Sequence, residues 1–268
     1  MQRVILLHSN DIHARITAFA RLVTLVDRIR AEHPNTPVLY VDAGDIEDAA
    51  NPLSNRTHGL AMHRLLALTG CAAAAVGNGL LTHHGPPALV EIGAVVSYPL
   101  LLANLRQFDG NMPLGVQPTA LLEAGSLLLG VVGVTVPMRG YSALGLAALP
   151  AGKIVRECAG ALRQDGADAI LVLSHLGLTR DRQLADELQA DVQIIIGAHS
   201  HDLLPAGELV GEVFVAQAGK FAQHLGRIDL LWDGEQLTIE NAGVLPIGQD
   251  IPPAQRVLDR VAALEGAR

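Results

Sequence analysis

Short, nearly all-apolar runs alternate with segments of helical periodicity through most of the chain, and this alternation limits the folds that are open to it. Six runs have the length and composition of strands covered on both faces, namely residues 4–7, 38–41, 73–76, 100–103, 169–173 and 192–196. Four segments between them have apolar residues at helical spacing, namely residues 19–29, 60–68, 154–162 and 180–188. Strands that alternate with helices indicate βα units, and therefore an α/β fold rather than an all-β sandwich.

The pattern changes after Pro205. Residues 212–216, 225–232 and 236–240 are predicted strands joined by turns, which indicates an antiparallel edge, and residues 253–264 are a predicted closing helix. The apolar stretch 92–105 contains polar residues and a proline, so it is predicted to form core strands rather than a membrane span. Because no repeat or long linker divides the chain, we expect a single domain over residues 1–268.

Charge and cysteine content restrict the partners and the compartment. The chain has 19 Lys and Arg residues against 27 Asp and Glu residues, and the basic residues are scattered, so no nucleic-acid footprint is expected. Cys71 and Cys158 have no metal-binding or disulfide spacing, which fits a reducing compartment. The first strand pattern leaves no room for a signal peptide, so a cytoplasmic location is predicted unless an exported precursor was trimmed. A homodimer stays an alternative that no pattern supports.

Polar residues follow the predicted strands at their carboxyl ends, where open α/β sheets place ligand sites. Seven of them are of types that bind metal ions: Asp11, His13, Asp45, Asn78, His175, His199 and His201. Imidazole and carboxylate ligands without thiolate suit manganese, iron or zinc. Seven side chains are too many for one tetrahedral ion, but they suffice for two if one carboxylate bridges. The pattern therefore predicts two divalent ions, with manganese favoured over iron or zinc.

The ordered series of motifs resembles one known family over residues 3 to about 245. The matching motifs are Asp11-x-His13, Gly44-Asp45, Gly77-Asn78, His175 and Gly197-x-His199-x-His201. They resemble calcineurin-like metallophosphoesterases, and specifically the N-terminal catalytic domain of the 5'-nucleotidase family. The resemblance implies a four-layer αββα sandwich. The larger family members carry a C-terminal nucleotide-binding domain that this sequence lacks, so nucleotide specificity is left open.

The resemblance also implies how the ligands divide between the two ions. Asp11, His13, Asp45 and His201 would hold one ion. Asp45, Asn78, His175 and His199 would hold the other, with Asp45 as the bridge. A small phosphorylated substrate would then be hydrolysed by a hydroxide that bridges the two ions, with Asp45, His13 and Asn78 at the catalytic centre. The implied activity is that of a phosphodiesterase or phosphatase.

One departure from the family pattern bears on the chemistry. The family commonly places a histidine and an aspartate after Gly-Asn, close to the leaving group, whereas this chain has Gly79 and Thr82 at those positions. His83, His84 and Arg15 are candidate replacements. Because a positioned general acid is worth about 10²–10⁴-fold, we expect better hydrolysis of aryl phosphates or activated phosphodiesters than of AMP. Two alternatives stay open: an inactive metal-binding or regulatory protein, and a hydrolase of a related sulfur ester.

Several other polar residues receive structural interpretations. His8 and Asn10 are expected to stabilise the end of the first strand rather than to bind substrate. His58 and His63 are expected on the surface of the following helix. Lys220 is expected at a solvated loop position, although an anion contact is the alternative.

Overall fold

The structure is a computed structural model that describes residues 1–266. Its strands are β1 (Gln2–Ser9), β2 (Val38–Asp42), β3 (Ala73–Ala75), β4 (Leu100–Leu101), β5 (Leu105–Gln107), β6 (Thr119–Ala124), β7 (Leu127–Thr135), β8 (Leu146–Ala148), β9 (Ala169–His175), β10 (Ile194–Gly197), β11 (Glu208–Val210), β12 (Val213–Ala216), β13 (His224–Trp232) and β14 (Leu237–Pro246). Its helices are α1 (Ile16–Glu32), α2 (Pro52–Arg56), α3 (Leu60–Leu66), α4 (Asn78–His84), α5 (Pro86–Gly93), α6 (Ala151–Gln164), α7 (Leu178–Glu187) and α8 (Gln255–Gly266), with 3₁₀ turns at Ala67–Thr69 and Arg139–Leu144.

The strands form two six-stranded sheets and a small two-stranded one. The first sheet has the order β14-β13-β1-β2-β3-β4, and the second has the order β11-β12-β10-β9-β7-β6. Strands β1 to β4 are parallel to one another, as are β7, β9, β10 and β12. Antiparallel pairing occurs on one side of the first sheet, through β13 and β14, and at both edges of the second, through β6 and β11. Strands β5 and β8 form the small sheet.

The two large sheets pack face to face between two layers of helices. Val4 and Leu6 of β1 point toward the second sheet and share a buried core with Leu171 of β9, because alternate side chains of a strand point to opposite faces. Ile5 and Leu7 point the other way, into the core formed with α1, α3, α5 and α8. The outer face of the second sheet is covered by α6 and α7. The fold is therefore the four-layer αββα sandwich that the resemblance implied.

The predicted elements agree with the structure at most positions. All six predicted strands of the βα region and all four predicted helices are present, with shifts of a few residues at their ends. The segment 212–246 provides β12 to β14, and the closing helix is α8. No helix within residues 1–266 is long and apolar enough to cross a membrane.

The interpretation of residues 92–105 as core strands is wrong in part. This stretch contains the end of α5, an irregular segment, β4 and the first residue of β5. Leu89 and Ile92 are buried on one face of α5, so the helix has the same apolar composition as a buried strand. Composition alone does not distinguish the two over so short a run. The β6–β7 hairpin was not predicted from the sequence.

Candidate metal centre

Loops that leave five strands of both large sheets meet at one end of the sandwich. The loop after β1 contains Asp11 and His13, and its backbone is bonded to the loop after β2: the N–H of Asp11 donates to Gly44 at 2.9 Å, and that of His13 to Asp45 at 3.0 Å. Asn78 follows β3 and begins α4. The second sheet contributes three histidines from the ends of β9 and β10, namely His175, His199 and His201. All seven predicted residues therefore lie at the same end.

Most of the candidate ligands have an unusual backbone conformation. Nine non-glycine residues of the described chain have a positive φ, and five of them are candidate ligands: Asp11, His13, Asp45, His199 and His201, with φ between 48° and 72°. L-residues rarely adopt this left-handed region, and such outliers cluster at functional sites where the surrounding structure holds them in place. The backbone of these loops is thus specialised for aiming side chains inward.

Two glycines permit the close packing of the loops. A Cβ atom at Gly44, where φ is 103°, would lie 2.8 Å from Nδ1 of His175, and one at Gly77 would lie 1.9 Å from Oδ1 of Asp45. Either side chain would displace a candidate ligand. The glycines that precede Asp45 and Asn78 are therefore required by close approach.

One group of candidate ligand atoms surrounds the carboxylate of Asp11, which is fully buried. The Nε2 atoms of His13 and His201 lie 3.7 and 3.4 Å from Oδ1 of Asp11, and 3.1 Å from each other. Two imidazole nitrogens and a carboxylate oxygen that converge at these distances have the composition of a metal site.

A second group joins the two sheets through Asp45 and His175. Nε2 of His175 lies 3.2 Å from Oδ2 of Asp45 and 4.0 Å from Oδ1 of Asp11. Burial opposes ionisation of both partners, but their attraction is stronger: it lowers the pKa of Asp45 and raises the pKa of His175 to about 10. This pair forms in the metal-free protein, where a proton occupies the nitrogen that would otherwise face a cation.

The two remaining candidates, His199 and Asn78, are held at the margin of these groups. The ring of His199 lies 5.4 Å from that of His175, and its backbone N–H donates to Oδ2 of Asp11 at 2.9 Å. Burial lowers the pKa of His199, which favours the neutral ring that a metal requires. Oδ1 of Asn78 is buried and has no hydrogen-bond partner among the described residues.

Buried atoms without partners indicate what this centre fits. Oδ1 of Asn78 is buried without a hydrogen-bond partner in the part of the chain that the structure describes, and the buried Nε2 of His175 has only its ion pair with Asp45. Unpaired buried polar atoms are costly and are rare in native proteins. Divalent cations would satisfy both atoms, and nitrogen and oxygen donors are what such cations take. The residues present therefore fit two metal ions.

Supporting residues orient the candidate ligands. Nδ1 of His175 is 2.9 Å from the carbonyl oxygen of Ala43, which fixes the ring so that Nε2 faces Asp11 and Asp45. The amide of Asn10 donates to Oδ2 of Asp11, and its Oδ1 accepts from the N–H of Ala218. The expectation that Asn10 stabilises this strand end therefore agrees with its contacts.

Comparison with known proteins shows which proteins this chain is similar to. No protein-family model matches the chain. The metallophosphoesterase YunD of Bacillus subtilis is 28% identical over 247 residues, which cover 90% of this chain and 52% of YunD. The 5'-nucleotidase of Diplobatis ommata is 26% identical, covering 90% of this chain and 48% of its own. The homologues of the present chain are thus metallophosphoesterases of the 5'-nucleotidase type. The chain spans about half the length of these curated relatives, which corresponds to their N-terminal catalytic part.

Solved metallophosphoesterase structures have the same fold. A 5'-nucleotidase precursor from Thermus thermophilus superposes with a TM-score of 0.83 at 24% identity, covering 98% of this chain and 58% of that one. The calcineurin-like phosphoesterase YfkN of Bacillus subtilis superposes with a TM-score of 0.80 at 17% identity, covering 98% and 97%. At these identities the likeness establishes the architecture alone.

A cavity of about 310 Å³ opens beside the candidate ligands. Its wall includes His13, Asp45, Asn78 and His201. Sequence reasoning missed Phe221, which also lines the cavity and has its ring 5.7 Å from that of His13. Phe221 was difficult to predict as a cavity residue, because it does not directly follow the carboxyl end of a predicted parallel strand.

Gly79 and Thr82, the two positions where the family resemblance led us to expect a histidine and an aspartate, have other contacts in the structure. The backbone N–H of Gly79 donates to Oδ1 of Asp45 at 2.9 Å, and the hydroxyl of Thr82 donates to the carbonyl of Asn78 at 2.8 Å. Thr82 is exposed, and its hydroxyl is used within its own helix. His83 lines the cavity, whereas the ring of His84 lies 5.5 Å from that of His58.

The expectation that His63 is a surface residue is wrong. His63 lies on the buried face of α3 and is only 3% exposed, whereas His58 is exposed as expected. Nδ1 of His63 is 2.9 Å from the hydroxyl of Tyr98, and Nε2 is 3.3 Å from Oε2 of Glu47. Histidine is tolerated in the core here because polar partners surround the ring.

Proposed function

We propose that this chain is a metal-dependent phosphoric ester hydrolase that binds two divalent ions and shares Asp45 between them. The observation that carries the proposal is the buried Nε2 of His175, which faces carboxylates of both the β1 and β2 loops. Four histidines, two aspartates and one asparagine are its ligands: Asp11, His13, Asp45, Asn78, His175, His199 and His201.

The chemistry divides between the ions and the protein. Bound divalent ions supply a positive field that attracts a phosphate dianion and lowers the pKa of a water molecule. Gly79 holds one oxygen of Asp45 at 2.9 Å through its N–H, which leaves the other oxygen directed at His175. Asn78 contributes a carboxamide at the cavity wall, where its dipole offsets charge that develops on the phosphoryl oxygens.

The basicity of the leaving group determines which substrates this site hydrolyses well. The wall at Gly79 has no side chain, and the hydroxyl of Thr82 is exposed and bonded to its own helix, so neither position provides a general acid. An alkoxide leaving group, as in AMP, therefore departs without assistance. Substrates whose leaving group is a weak base lose the least rate when no general acid is present. Aryl phosphates and activated phosphodiesters are therefore the preferred class.

Several finer features belong to the same proposal. Manganese is the favoured metal, with iron or zinc as alternatives that the same nitrogen and oxygen ligands accept. We infer a single domain over residues 1–268 with a small phosphorylated substrate, and a cytoplasmic location consistent with the absence of a disulfide pattern. A homodimer is the alternative to a monomer.

The test is a substrate panel with manganese-loaded protein. We expect initial rates on p-nitrophenyl phosphate and bis(p-nitrophenyl) phosphate that exceed the rate on AMP by at least about tenfold. p-Nitrophenyl sulfate serves as the control for hydrolysis of a sulfur ester. A preference for AMP would contradict the leaving-group argument, and hydrolysis of the sulfate alone would contradict phosphoester hydrolysis.

A further inference from the structure

Two cationic side chains flank the aromatic residue at the cavity wall. The guanidinium carbon of Arg15 lies 4.5 Å from the centroid of the Phe221 ring, and Nζ of Lys220 lies 4.9 Å from it. Both distances are within the range of cation–π attraction. Phe221 in turn packs against the rings of His13 and His201, at 5.7 and 6.1 Å. The cations are therefore positioned next to the first group of candidate ligands.

The loop that carries Lys220 and Phe221 is fixed to the Asp11 loop. The N–H of Phe221 donates to the carbonyl of Asp11 at 2.8 Å, and the amide of Asn10 donates to the carbonyl of Gly219 at 2.6 Å. Phe221 has a φ of 61°, an unfavourable conformation for a bulky residue. The surrounding bonds hold the ring in place at the cavity, as backbone outliers at functional sites are held.

The charges of Arg15 and Lys220 are not neutralised by the protein. Within residues 1–266, no carboxylate lies within ion-pair distance of either side chain, although the whole chain has a net charge of −8. Glu47 and Asp48 contribute carboxylates elsewhere on the cavity wall. An anion that enters the cavity is therefore attracted toward Phe221 and repelled from the acidic part of the wall.

We propose that Arg15, Lys220 and Phe221 form a subsite for a second anionic group of the substrate, separate from the phosphoryl group that is hydrolysed. This proposal rests on the proposed function, because it assigns the substrate class of the same site. The ligand is a phosphoric ester or anhydride that carries a further carboxylate or phosphate. Phe221 keeps the two cations together by cation–π contact, and their N–H groups stay free to donate to the anion.

The charge of such a substrate complements the chemistry of the site. In an anhydride, the P–O bond breaks with its electron pair on the departing phosphate oxygen, while the oxygen of water forms the new P–O bond and its proton passes to solvent. A departing phosphate is a weak base and needs no proton at neutral pH. A site without a general acid at Gly79 and Thr82 is suited to that substrate class.

A pair of phosphonates that differ by one anionic group tests the subsite without turnover. Phenylphosphonate has no anionic group besides its phosphonate, whereas 4-phosphonobenzoate also carries a carboxylate. We expect calorimetry with the manganese-loaded protein to show at least about fivefold tighter binding of 4-phosphonobenzoate. The variant Arg15→Gln/Lys220→Gln should lose this preference while keeping its affinity for phenylphosphonate. The variant Arg28→Gln/Lys153→Gln removes the same charge at exposed positions of α1 and α6 and should keep the preference.

The outcomes separate the subsite from the hydrolase. Absence of a preference in the wild-type protein, or equal weakening of both ligands in the double variant, would overturn the subsite. Loss of the preference in the Arg28 and Lys153 control would also overturn it, because the effect would then be one of net charge. Because binding is measured, a protein that shows the preference but hydrolyses no ester would refute the proposed function and keep the subsite.

Discussion

Nε2 of His175 lies 3.2 Å from Oδ2 of Asp45, and this contact connects the two large sheets of the sandwich at the candidate metal centre. Asp45 follows β2 of the first sheet, and His175 ends β9 of the second. The relative position of the sheets therefore determines whether one ion can be held by both. A centre of this kind is assembled by tertiary packing rather than by any local motif.

Replacement of Asp45 by alanine should abolish the centre. The change removes the carboxylate that we propose the two ions share, so we expect fewer than two bound manganese ions per chain and a fall in turnover of more than about 100-fold. Metal analysis after gel filtration measures the occupancy. Asp48→Ala is the matched control, since Asp48 lines the cavity but its carboxylate accepts from the N–H of Ala50. Two tightly bound ions in Asp45→Ala would contradict the ligand assignment.

Metal binding should release protons and strengthen as the pH rises. In the metal-free protein, the pairing with Asp45 overcomes burial and raises the pKa of His175 to about 10, so the ring is protonated at pH 7. A metal can bind only the neutral ring, so one proton leaves with each binding event at His175. From the deprotonation of His175 alone, we expect the apparent affinity for the metal ion to increase by about tenfold per pH unit below pH 10. Calorimetry in buffers of different ionisation enthalpy measures the release, and a buffer-independent heat would refute it.

A histidine at position 79 tests the missing general acid. A Cβ at Gly79 would lie 3.0 Å from Oδ1 of Asp45, which is tight, so Gly79→Ala is needed as a control for this steric effect. Relative to Gly79→Ala, we expect Gly79→His, alone or with Thr82→Asp, to raise the rate on AMP by about tenfold or more. Rates on p-nitrophenyl phosphate should change little. Equal rates on AMP for the histidine and alanine variants would mean that leaving-group protonation does not limit turnover.

His83 should contribute little to protonation of the leaving group. It lines the cavity from α4, but its side chain is exposed and accepts or donates no hydrogen bond within residues 1–266 that would orient the ring. We expect His83→Ala to lower the rate on AMP by less than about tenfold, because a positioned general acid is worth about 10²–10⁴-fold. His84→Ala, one position along the same helix, is the comparison. A loss of 10²-fold in His83→Ala alone would identify His83 as the proton donor.

The positions of polar residues after predicted strands indicated which of them lie at one end of the first sheet. Carboxyl ends of parallel strands share one edge of a sheet, so Asp11, Asp45 and Asn78 were expected to meet, and the structure places them there. His175 and His199 come from the second sheet. Their approach to Asp11 follows from the stacking of the sheets, which was inferred from the family resemblance and not from strand patterns.

Other features depended on contacts that no local pattern records. His63 has the residue type of a surface position, yet Tyr98 and Glu47 receive it in the core from distant segments. Phe221 follows an irregular loop, and its place at the cavity depends on its bond to Asp11. In both instances, contacts with distant segments of the chain determine where the side chain lies, and the local sequence pattern does not.

The left-handed conformations of Asp11, His13, Asp45, His199 and His201 have a consequence for protein engineering. Grafting the seven candidate ligand side chains onto another parallel α/β scaffold would reproduce their chemical identities but not their directions. The donor loops would have to be transplanted with their backbone turns and with the glycines that make room for them. Transfer of the activity by side-chain substitution alone should therefore fail.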